Sequence, residues 1–429
     1  MTKIEDINNR YFLDLFFLSV LLFSLPIAGV TAVQNISLVL FFIVCFIVSK
    51  DIQYKEVISL RIYLMIILGL VVTSIISVYF SIEPKETISE IRGELIKPFV
   101  LSLIVFLFIY VFDDNKIKKI FFILFAALFF HTLLNMYIWI DNGLWPFRAG
   151  GLLDSGGGER FGIWTTYSLS MAIALFFTKY KKIAILFFLL SLISIIGNNT
   201  RATFIGMIMI LFFYFFIFYK NKIFKYSIIT LITLSIISFI IYSKNFETRY
   251  NAFNVVSAIK HMDSYSPSEY DKLVTEHSLE HSTTARLAMW KSVLLYRGED
   301  LFTPQGYGRF LFGKSISKIY ENEKENIPYM IFAQAHNDYM TIFFSLGLIG
   351  LLFFLALFAY LLKVLYYIFI HSSDYKAFAV FTFLGTIGYM SSMMFGSFFG
   401  DSEKIYFYLL YGITLALYLK TKEQYLETN

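Results

Sequence analysis

The segment MTIFFSLGLIGLLFFLALFAYLLKVLYYIFI, residues 340–370, carries one charged side chain in 31 positions. A continuous helix of this length measures about 46 Å, whereas about 20 residues cross the roughly 30 Å hydrocarbon layer of a bilayer. The segment therefore predicts a transmembrane helix that is too long to stand upright without bending. Gly347 and Gly350 are the expected break, because glycine relaxes helix geometry and lets backbones approach closely.

The rest of the chain has the same character. Hydrophobic residues make up 58% of the 429 positions and charged residues 16%, whereas soluble domains are about half apolar and about a quarter charged. Runs long enough to span a bilayer recur twelve times, near residues 11–30, 32–49, 61–80, 98–112, 119–140, 161–178, 183–197, 202–219, 223–242, 340–370, 377–397 and 405–419. We therefore expect an all-α integral membrane protein with about 12 transmembrane helices. The first run lacks a small-residue cleavage site and leads directly into the second, so we expect no removed signal peptide.

The basic residues predict the orientation of the chain. With the N-terminus in the cytoplasm, the inside segments carry 18 lysines and arginines and the short outside loops carry seven. Positive charge collects on the cytoplasmic side of multi-pass proteins, and a loop as long as residues 243–332 is exempt from the count. Both termini are therefore expected in the cytoplasm. Topology, rather than a nucleic-acid partner, explains the net charge of +5.

Three segments on the expected outer side interrupt the pattern of spans. Residues 81–98 place Ile88, Ile91 and Leu95 at helical spacing among charged residues, which predicts a helix lying in the membrane interface. Residues 141–160 form a glycine-rich loop, and residues 243–332 are long enough to cover the membrane domain. We expect one polytopic membrane domain, residues 1–429, with residues 243–332 as a helical loop subdomain on the outer side between helices 9 and 10.

Four basic side chains on the expected outer side are candidates for binding or catalysis. They are Arg148 in WPFRAGG, Arg201 in GNNTRATF, Arg286 in STTARLAMW and His336 in AQAHNDYM. Eight of the ten arginines lie on this side, whereas sixteen lysines and two arginines carry the inside charge. The planar guanidinium group suits bidentate recognition of phosphate better than an ammonium group does. The alternative is that these arginines pair with carboxylates of the outer loop.

Each candidate has a functional and a structural interpretation. Arg201 follows a very short turn between two apolar runs, and a charge at the membrane edge is costly unless it serves a function; the alternative is a snorkelling arginine. Arg286 follows Ser282–Thr284, a pattern typical of a helix N-cap, so we expect a helix to begin there and run through Trp290; the alternative is a solvated arginine. The imidazole of His336 can act as a base, because an ordinary histidine pKa of about 6.5 leaves it mostly neutral at pH 7; the alternative is a packed or capping histidine.

Three motifs that could indicate other chemistry are weak. HSLEH at residues 277–281 matches a zinc-binding pattern, but no third ligand is evident nearby. The glycines at 156–158 lack the Gly-Lys-Ser/Thr ending of a phosphate loop, and the first outer turn, LPIAGVTAVQN, contains no acid that could hold a metal. We therefore expect neither cofactor nor metal. A synthetic reaction outside the reach of ATP then needs an activated donor, and a lipid-linked pyrophosphate meets that need.

The order of several motifs resembles the O-antigen ligase family. An arginine in a short loop between spans, here Arg201, comes first. It is followed by Arg286-x-x-x-Trp290, then by Pro304-x-Gly306-x-Gly308, and then by His336-Asn337-x-Tyr339-Met340 with Gly347-x-x-Gly350. The resemblance covers the second half of the chain, while the first half agrees in the number and placement of helices. Met340 stands where relatives often have leucine.

The resemblance implies a GT-C-type, multi-pass glycosyltransferase of the cell inner membrane with a periplasmic active site. Such enzymes move O-antigen polysaccharide from undecaprenyl pyrophosphate to a sugar hydroxyl of the lipid A-core oligosaccharide without a metal. By position, His336 would be the general base, and Arg201 and Arg286 would bind the pyrophosphate, with Arg148 as a fourth match. Asn337 and Trp290 would support them. Two alternatives stay open: an O-antigen polymerase that uses the same donor, and a transporter of an anionic lipid-linked cargo.

Overall fold

The computed structural model describes residues 2–48, 55–144, 147–153, 158–219, 252–262, 274–276, 281–308, 311–319, 335–395 and 401–428. These residues are helical apart from short connections and one isolated bridge between Ile27 and Leu152. The helices are α1 (Thr2–Ser24), α2 (Thr31–Val48), α3 (Lys55–Ser59), α4 (Arg61–Phe80), α5 (Pro84–Glu90), α6 (Lys97–Tyr110), α7 (Asp114–Asp141), α8 (Gly158–Leu175), α9 (Lys181–Asn198), α10 (Arg201–Phe213), α11 (Ala252–Met262), α12 (His281–Glu299), α13 (Leu311–Ile319), α14 (Asp338–His371), α15 (Lys376–Met393) and α16 (Asp401–Thr428).

The helices coincide with the predicted spans wherever the structure describes them. Eleven of the twelve runs lie over a helix, and the run at 223–242 lies outside the described residues. Among the residues that the structure describes, six helical stretches are long and apolar enough to cross a bilayer: Arg61–Phe80, Pro84–Tyr110, Asp114–Asp141, Lys181–Asn198, Arg201–Phe218 and Asp338–His371. The prediction of an all-helical, multi-pass membrane protein is confirmed.

Three further helices, α8, α15 and α16, form the centre of the bundle. Every residue from 161 to 175 in α8 is buried. α8 packs against α9, α10 and α15, while α16 packs against α6 and α14. Because these helices meet protein rather than lipid, they can carry hydroxyl groups that are satisfied within the helix. The hydroxyls of Thr165 and Thr166, for example, donate to the carbonyls of Gly162 and Ile163.

Residues 84–110 form one helical run, which corrects the prediction of a separate interfacial helix at residues 81–98. α5 continues through a π-helical turn, Ile91–Ile96, into α6. Pro98 lies in the first turn of α6. Because proline cannot donate an amide hydrogen bond, the wider π turn accommodates the missing bond and the helix continues. Ile91 is buried, but Ile88 is 56% exposed.

α14 contains the break that its length predicts. Gly347 has φ 68° and ψ −172° inside the helix, a conformation that is essentially restricted to glycine. The helix changes direction there and continues to His371. The break is therefore at Gly347, the first of the two glycines named from the sequence.

A loop that follows α12 fills this break. We call residues 300–308 the clamp loop. The amide of Leu348 donates to the carbonyl of Leu301 at 2.8 Å, and the amide of Gln305 donates to the carbonyl of Ser345 at 2.9 Å. These two bonds satisfy backbone groups that lose their helical partners at the break.

The guanidinium group of Arg297 binds further backbone carbonyls around this break. Arg297 is 1% exposed and lies in the last turn of α12. It donates to the carbonyls of Asp300 and Thr303, each at 2.8 Å, and also to the carbonyl of Phe344. One buried side chain therefore joins the end of α12, the clamp loop and the part of α14 that precedes Gly347.

The far end of the clamp loop packs against α4 and α5. The amide of Tyr307 donates to the hydroxyl of Ser77 at 2.9 Å. Gly306 has φ 103°, and a Cβ added there would lie 2.7 Å from the hydroxyl oxygen of Ser81. A Cβ at Gly308 would lie 2.9 Å from Cγ of Glu90. The two glycines of the Pro-x-Gly-x-Gly motif therefore allow a close approach that a side chain would prevent.

Candidate active site

Arg201 begins α10 directly after a two-residue turn. α9 ends at Asn198, and Asn199 has φ 51°, the left-handed conformation that asparagine tolerates at helix ends. The buried amide oxygen of Asn198 accepts hydrogen bonds from the hydroxyls of Thr200 and Thr203, both at 2.8 Å. Side-chain hydrogen bonds therefore fix the turn from which the half-buried Arg201 extends.

The segment that carries Arg148 packs against this turn. The amide of Ala149 donates to the carbonyl of Gly197 at 2.9 Å, and the side-chain amide of Asn198 donates to the carbonyl of Ala149 at 3.0 Å. Arg148 itself is half-buried. The structure thus places the backbone of Arg148 next to the turn that leads to Arg201.

Arg286 and Trp290 lie on α12, but this helix begins earlier than the sequence predicts. The helix already includes His281, so Ser282–Thr284 lie inside its first turn rather than ahead of it. The predicted N-cap at these residues is wrong, because short hydroxyl side chains occur in first turns as well as at caps. Arg286 is half-buried on the helix.

α12 connects Arg201 to the residue that precedes His336. The guanidinium Nη1 of Arg201 donates to the hydroxyl of Thr283 at 2.9 Å. Two turns further along, the indole Nε1 of Trp290 donates to the carbonyl of Ala335 at 2.9 Å. Ala335 is fully buried. The helix that carries Arg286 is therefore bonded at one end to the arginine of α10 and at its middle to the start of the histidine segment.

His336 lies in a tight turn at the beginning of α14. Its φ of 49° is left-handed, which is uncommon for a residue other than glycine. The next residue, Asn337, caps the helix: its side-chain oxygen accepts from the amide of Met340 at 3.2 Å. The hydroxyl of Thr341 donates to the carbonyl of Asn337 at 3.0 Å. The half-buried imidazole is thus held on a backbone fixed from both sides, by Ala335 and by the cap.

Three polar side chains of this region are not found by the sequence analysis. Thr283 contacts Arg201 instead of capping α12, Asn198 organises the turn before Arg201, and Arg297 closes the break in α14. A signal for Thr283 does exist in the spacing, because positions 283, 286 and 290 share one face of a helix. The near-complete burial of Arg297, which is 1% exposed, has no such signal in the sequence.

The side chains of this region are of types that can bind an anion and accept a proton. Guanidinium groups suit phosphate oxygens, and a neutral imidazole can accept a proton. Within the described ranges, no group of three or more His, Cys, Asp or Glu side chains is placed to hold a metal ion.

Comparison with known proteins found a family model that matches this region. The family model described as O-antigen ligase matches residues 186–355, which run from within α9 through the outer segment to the inner half of α14. The matched range includes Arg201, Arg286 and His336. A search of curated proteins found no match. Residues 186–355 of the chain are therefore similar to the O-antigen ligase family.

Proposed function

We propose that this protein is an O-antigen ligase of the cell inner membrane. It transfers O-antigen polysaccharide from undecaprenyl pyrophosphate to a sugar hydroxyl of the lipid A-core oligosaccharide, with both termini in the cytoplasm and the active site on the periplasmic face. In this proposal the helices form a GT-C-type membrane domain, and residues 243–332 form the periplasmic subdomain. The family match supports the class of reaction, because the family covers ligases and polymerases.

The observation that supports the assignment of residues is the pair of hydrogen bonds made by α12. Thr283 binds Arg201, and Trp290 binds the carbonyl directly before His336. Arg286 lies between these two contacts on the same helix. Two arginines and the histidine are therefore connected through one helix. A site that binds a pyrophosphate next to a general base needs its residues held in fixed positions in this way.

In the proposed reaction, His336 removes the proton from the acceptor hydroxyl. The freed oxygen attacks the anomeric carbon of the donor sugar and forms the new glycosidic bond. The bond between that carbon and the pyrophosphate oxygen breaks, and the electron pair leaves with undecaprenyl pyrophosphate. Arg201 and Arg286 stabilise the charge of the leaving group, with Arg148 on the adjoining segment. Neither a cofactor nor a metal takes part in this scheme.

The role of His336 as the base is tested by measuring glycan transfer with the purified protein. The assay contains lipid-linked O-antigen and lipid A-core, with and without a chelator. General-base help contributes about 10²–10⁴-fold in rate, so His336→Ala is expected to lose at least about a hundred-fold in kcat while its melting temperature stays near that of the wild type. His261→Ala, on α11 of the same outer segment, is the matched control and keeps full activity. Wild-type turnover by His336→Ala would overturn the assignment.

The arginines are tested by changing the shape of the cation and keeping its charge. Arg201→Lys and Arg286→Lys lose the planar fork that binds two phosphate oxygens at once. Both variants are expected to raise the KM for the donor. Arg92→Lys, at an exposed position in the π-helical turn of Ile91–Ile96, is the control. Unchanged donor KM in both site variants would argue against bidentate pyrophosphate binding.

The polymerase and transporter alternatives give different outcomes. In a deletion strain, loss of long-chain attachment with polymer remaining on the carrier lipid indicates a ligase, whereas lipid A-core capped with single repeats indicates a polymerase. Product formed by purified protein in detergent, without any gradient, excludes a transporter as the sole activity.

A further inference from the structure

An open groove lies at the other end of α14 from His336. Its volume is about 510 Å³. It is enclosed by the first half of α7, the end of α8 with the loop that follows, the start of α9 and the start of α15. The loops that meet here, after α6, α8 and α14, all belong to the side on which positive charge places the cytoplasm. The groove is therefore separate from the proposed active site.

The walls of the groove are apolar, and the groove is open at the side of the helix bundle. Phe121, Phe122 and Phe125 of α7 form one wall, and Ile183 of α9 and Phe378 of α15 complete it. Phe122 is 65% exposed and Ile183 is 41% exposed. In a bilayer such side chains face hydrocarbon, and a cleft of this size between them is filled by a lipid chain because empty space forfeits dispersion contacts.

The rim of the groove carries a net positive charge. Lys118 and Lys179 are both exposed, and Asp374 is the acidic residue beside them. The ammonium group of Lys179 lies 5.4 Å from the ring centroid of Tyr180, so this lysine extends along the rim. The apolar cleft below and the cations above match the two parts of an anionic lipid.

We propose that this groove binds one anionic phospholipid of the cytoplasmic leaflet. An acyl chain lies against the phenylalanines of α7, and the phosphate lies between Lys118 and Lys179. Basic pockets between transmembrane helices on this side of a membrane bind such head groups, and the cytoplasmic leaflet supplies anionic lipid. The proposal does not depend on the proposed glycosyl transfer, because none of these residues is shared with that site.

The test compares phosphatidylglycerol with phosphatidylcholine on the delipidated full-length protein. Native mass spectrometry measures retained lipid, and thermal unfolding during a lipid titration measures binding independently, because a ligand that prefers the folded state raises the melting temperature. We expect phosphatidylglycerol to be retained and to raise the melting temperature at lower concentration than phosphatidylcholine does.

Two sets of variants separate charge from shape. Lys118→Gln with Lys179→Gln is expected to weaken phosphatidylglycerol binding by about five-fold per lysine, the effect of one charge near an anionic surface. Lys181→Gln with Lys182→Gln changes two exposed lysines at the start of α9 that do not line the groove, and it should bind as the wild type does. Ala377→Phe places a ring in the groove and should weaken retention while both rim lysines remain.

Three results would overturn the proposal. The first is equal retention of the two lipids by the wild type. The second is unchanged phosphatidylglycerol binding by the Lys118 and Lys179 double variant. The third is displacement of phosphatidylglycerol from the groove by a polyprenyl pyrophosphate at lower concentration than by other phospholipids, which would identify a different occupant.

Discussion

Replacing Gly347 by alanine tests how the break in α14 is maintained. The observed φ of 68° and ψ of −172° cost a residue with a side chain about 1–3 kcal/mol. The added Cβ would lie 2.5 Å from the carbonyl oxygen of Phe302 and 2.9 Å from its carbonyl carbon. Because these atoms are backbone, they cannot rotate away as a side chain could, so the clamp loop has to move.

Movement of the clamp loop breaks two further interactions. The bonds from Gln305 to Ser345 and from Leu348 to Leu301 contribute about 0.5–1.5 kcal/mol each. Together with the backbone cost, the expected destabilisation is about 2–6 kcal/mol, which is a large part of the roughly 5–15 kcal/mol that holds a typical protein folded. We expect a fall of several degrees in the melting temperature, and a loss of transfer activity because the half-helix that follows His336 changes direction.

The assay is thermal unfolding of the purified protein in detergent, followed by tryptophan fluorescence, together with glycan transfer. Gly298→Ala is the matched control. It lies in the exposed last turn of α12, and nothing lies within 4 Å of an added Cβ. Alanine is the better helix former by about 1 kcal/mol, so this control should melt at the wild-type temperature or slightly above it. If Gly347→Ala melts and reacts as the wild type does, the account of the break is refuted.

Three further predictions concern α12 and the clamp loop. Thr283→Val removes the partner of Arg201 and should raise the donor KM by about ten-fold, since a hydrogen bond to a charged group is worth about 1.5–3 kcal/mol. Thr283→Ser keeps the hydroxyl and should keep the wild-type KM. Equal KM values in the two variants would contradict a role of Thr283 in positioning Arg201. Trp290→Phe keeps the ring but loses a hydrogen bond worth about 1 kcal/mol, so kcat should fall about five-fold with the donor KM unchanged; a change in KM alone would point to donor binding instead. The amide of Thr303 donates to Asp300 and lowers the pKa of this carboxyl, so its stabilising effect is complete above the unfolded pKa of about 4 and is lost as the pH falls through the lower folded value. Melting temperatures between pH 6 and pH 3 should therefore fall less steeply for Asp300→Asn than for the wild type, and parallel curves would contradict this.

Hydropathy and length predict most of the membrane fold. The spans can be predicted because about 20 apolar residues are needed to cross a bilayer. The break in α14 can be predicted because 31 residues exceed that length. The central helices are predicted as well, although they are less apolar than the outer ones. Several of their hydroxyl groups donate to backbone carbonyls of the same helix, as at Thr165, so a lower hydropathy still fits a buried span.

The partners of the charged residues could not be predicted in the same way. The excess of outer arginines favours phosphate binding, yet Arg297 binds backbone carbonyls. Arg160 pairs with the buried carboxylate of Glu403 at 2.9 Å, so its partner lies on α16 and not in the outer loop that the sequence analysis named as the alternative. The choice between these uses depends on contacts between residues that are distant in the chain. The start of α12 was missed for a related reason, since Thr283 is committed to Arg201 across the fold.

The clamp loop has a consequence for biogenesis. Ser77, which anchors the loop, precedes Tyr307 by 230 residues, whereas α14 follows the loop in the chain. During synthesis the nascent loop can therefore settle on α4 and α5 before α14 leaves the translocon. The part of α14 that precedes Gly347 then packs against a clamp loop that is already in place. The order of translation therefore matches the order in which these parts are needed.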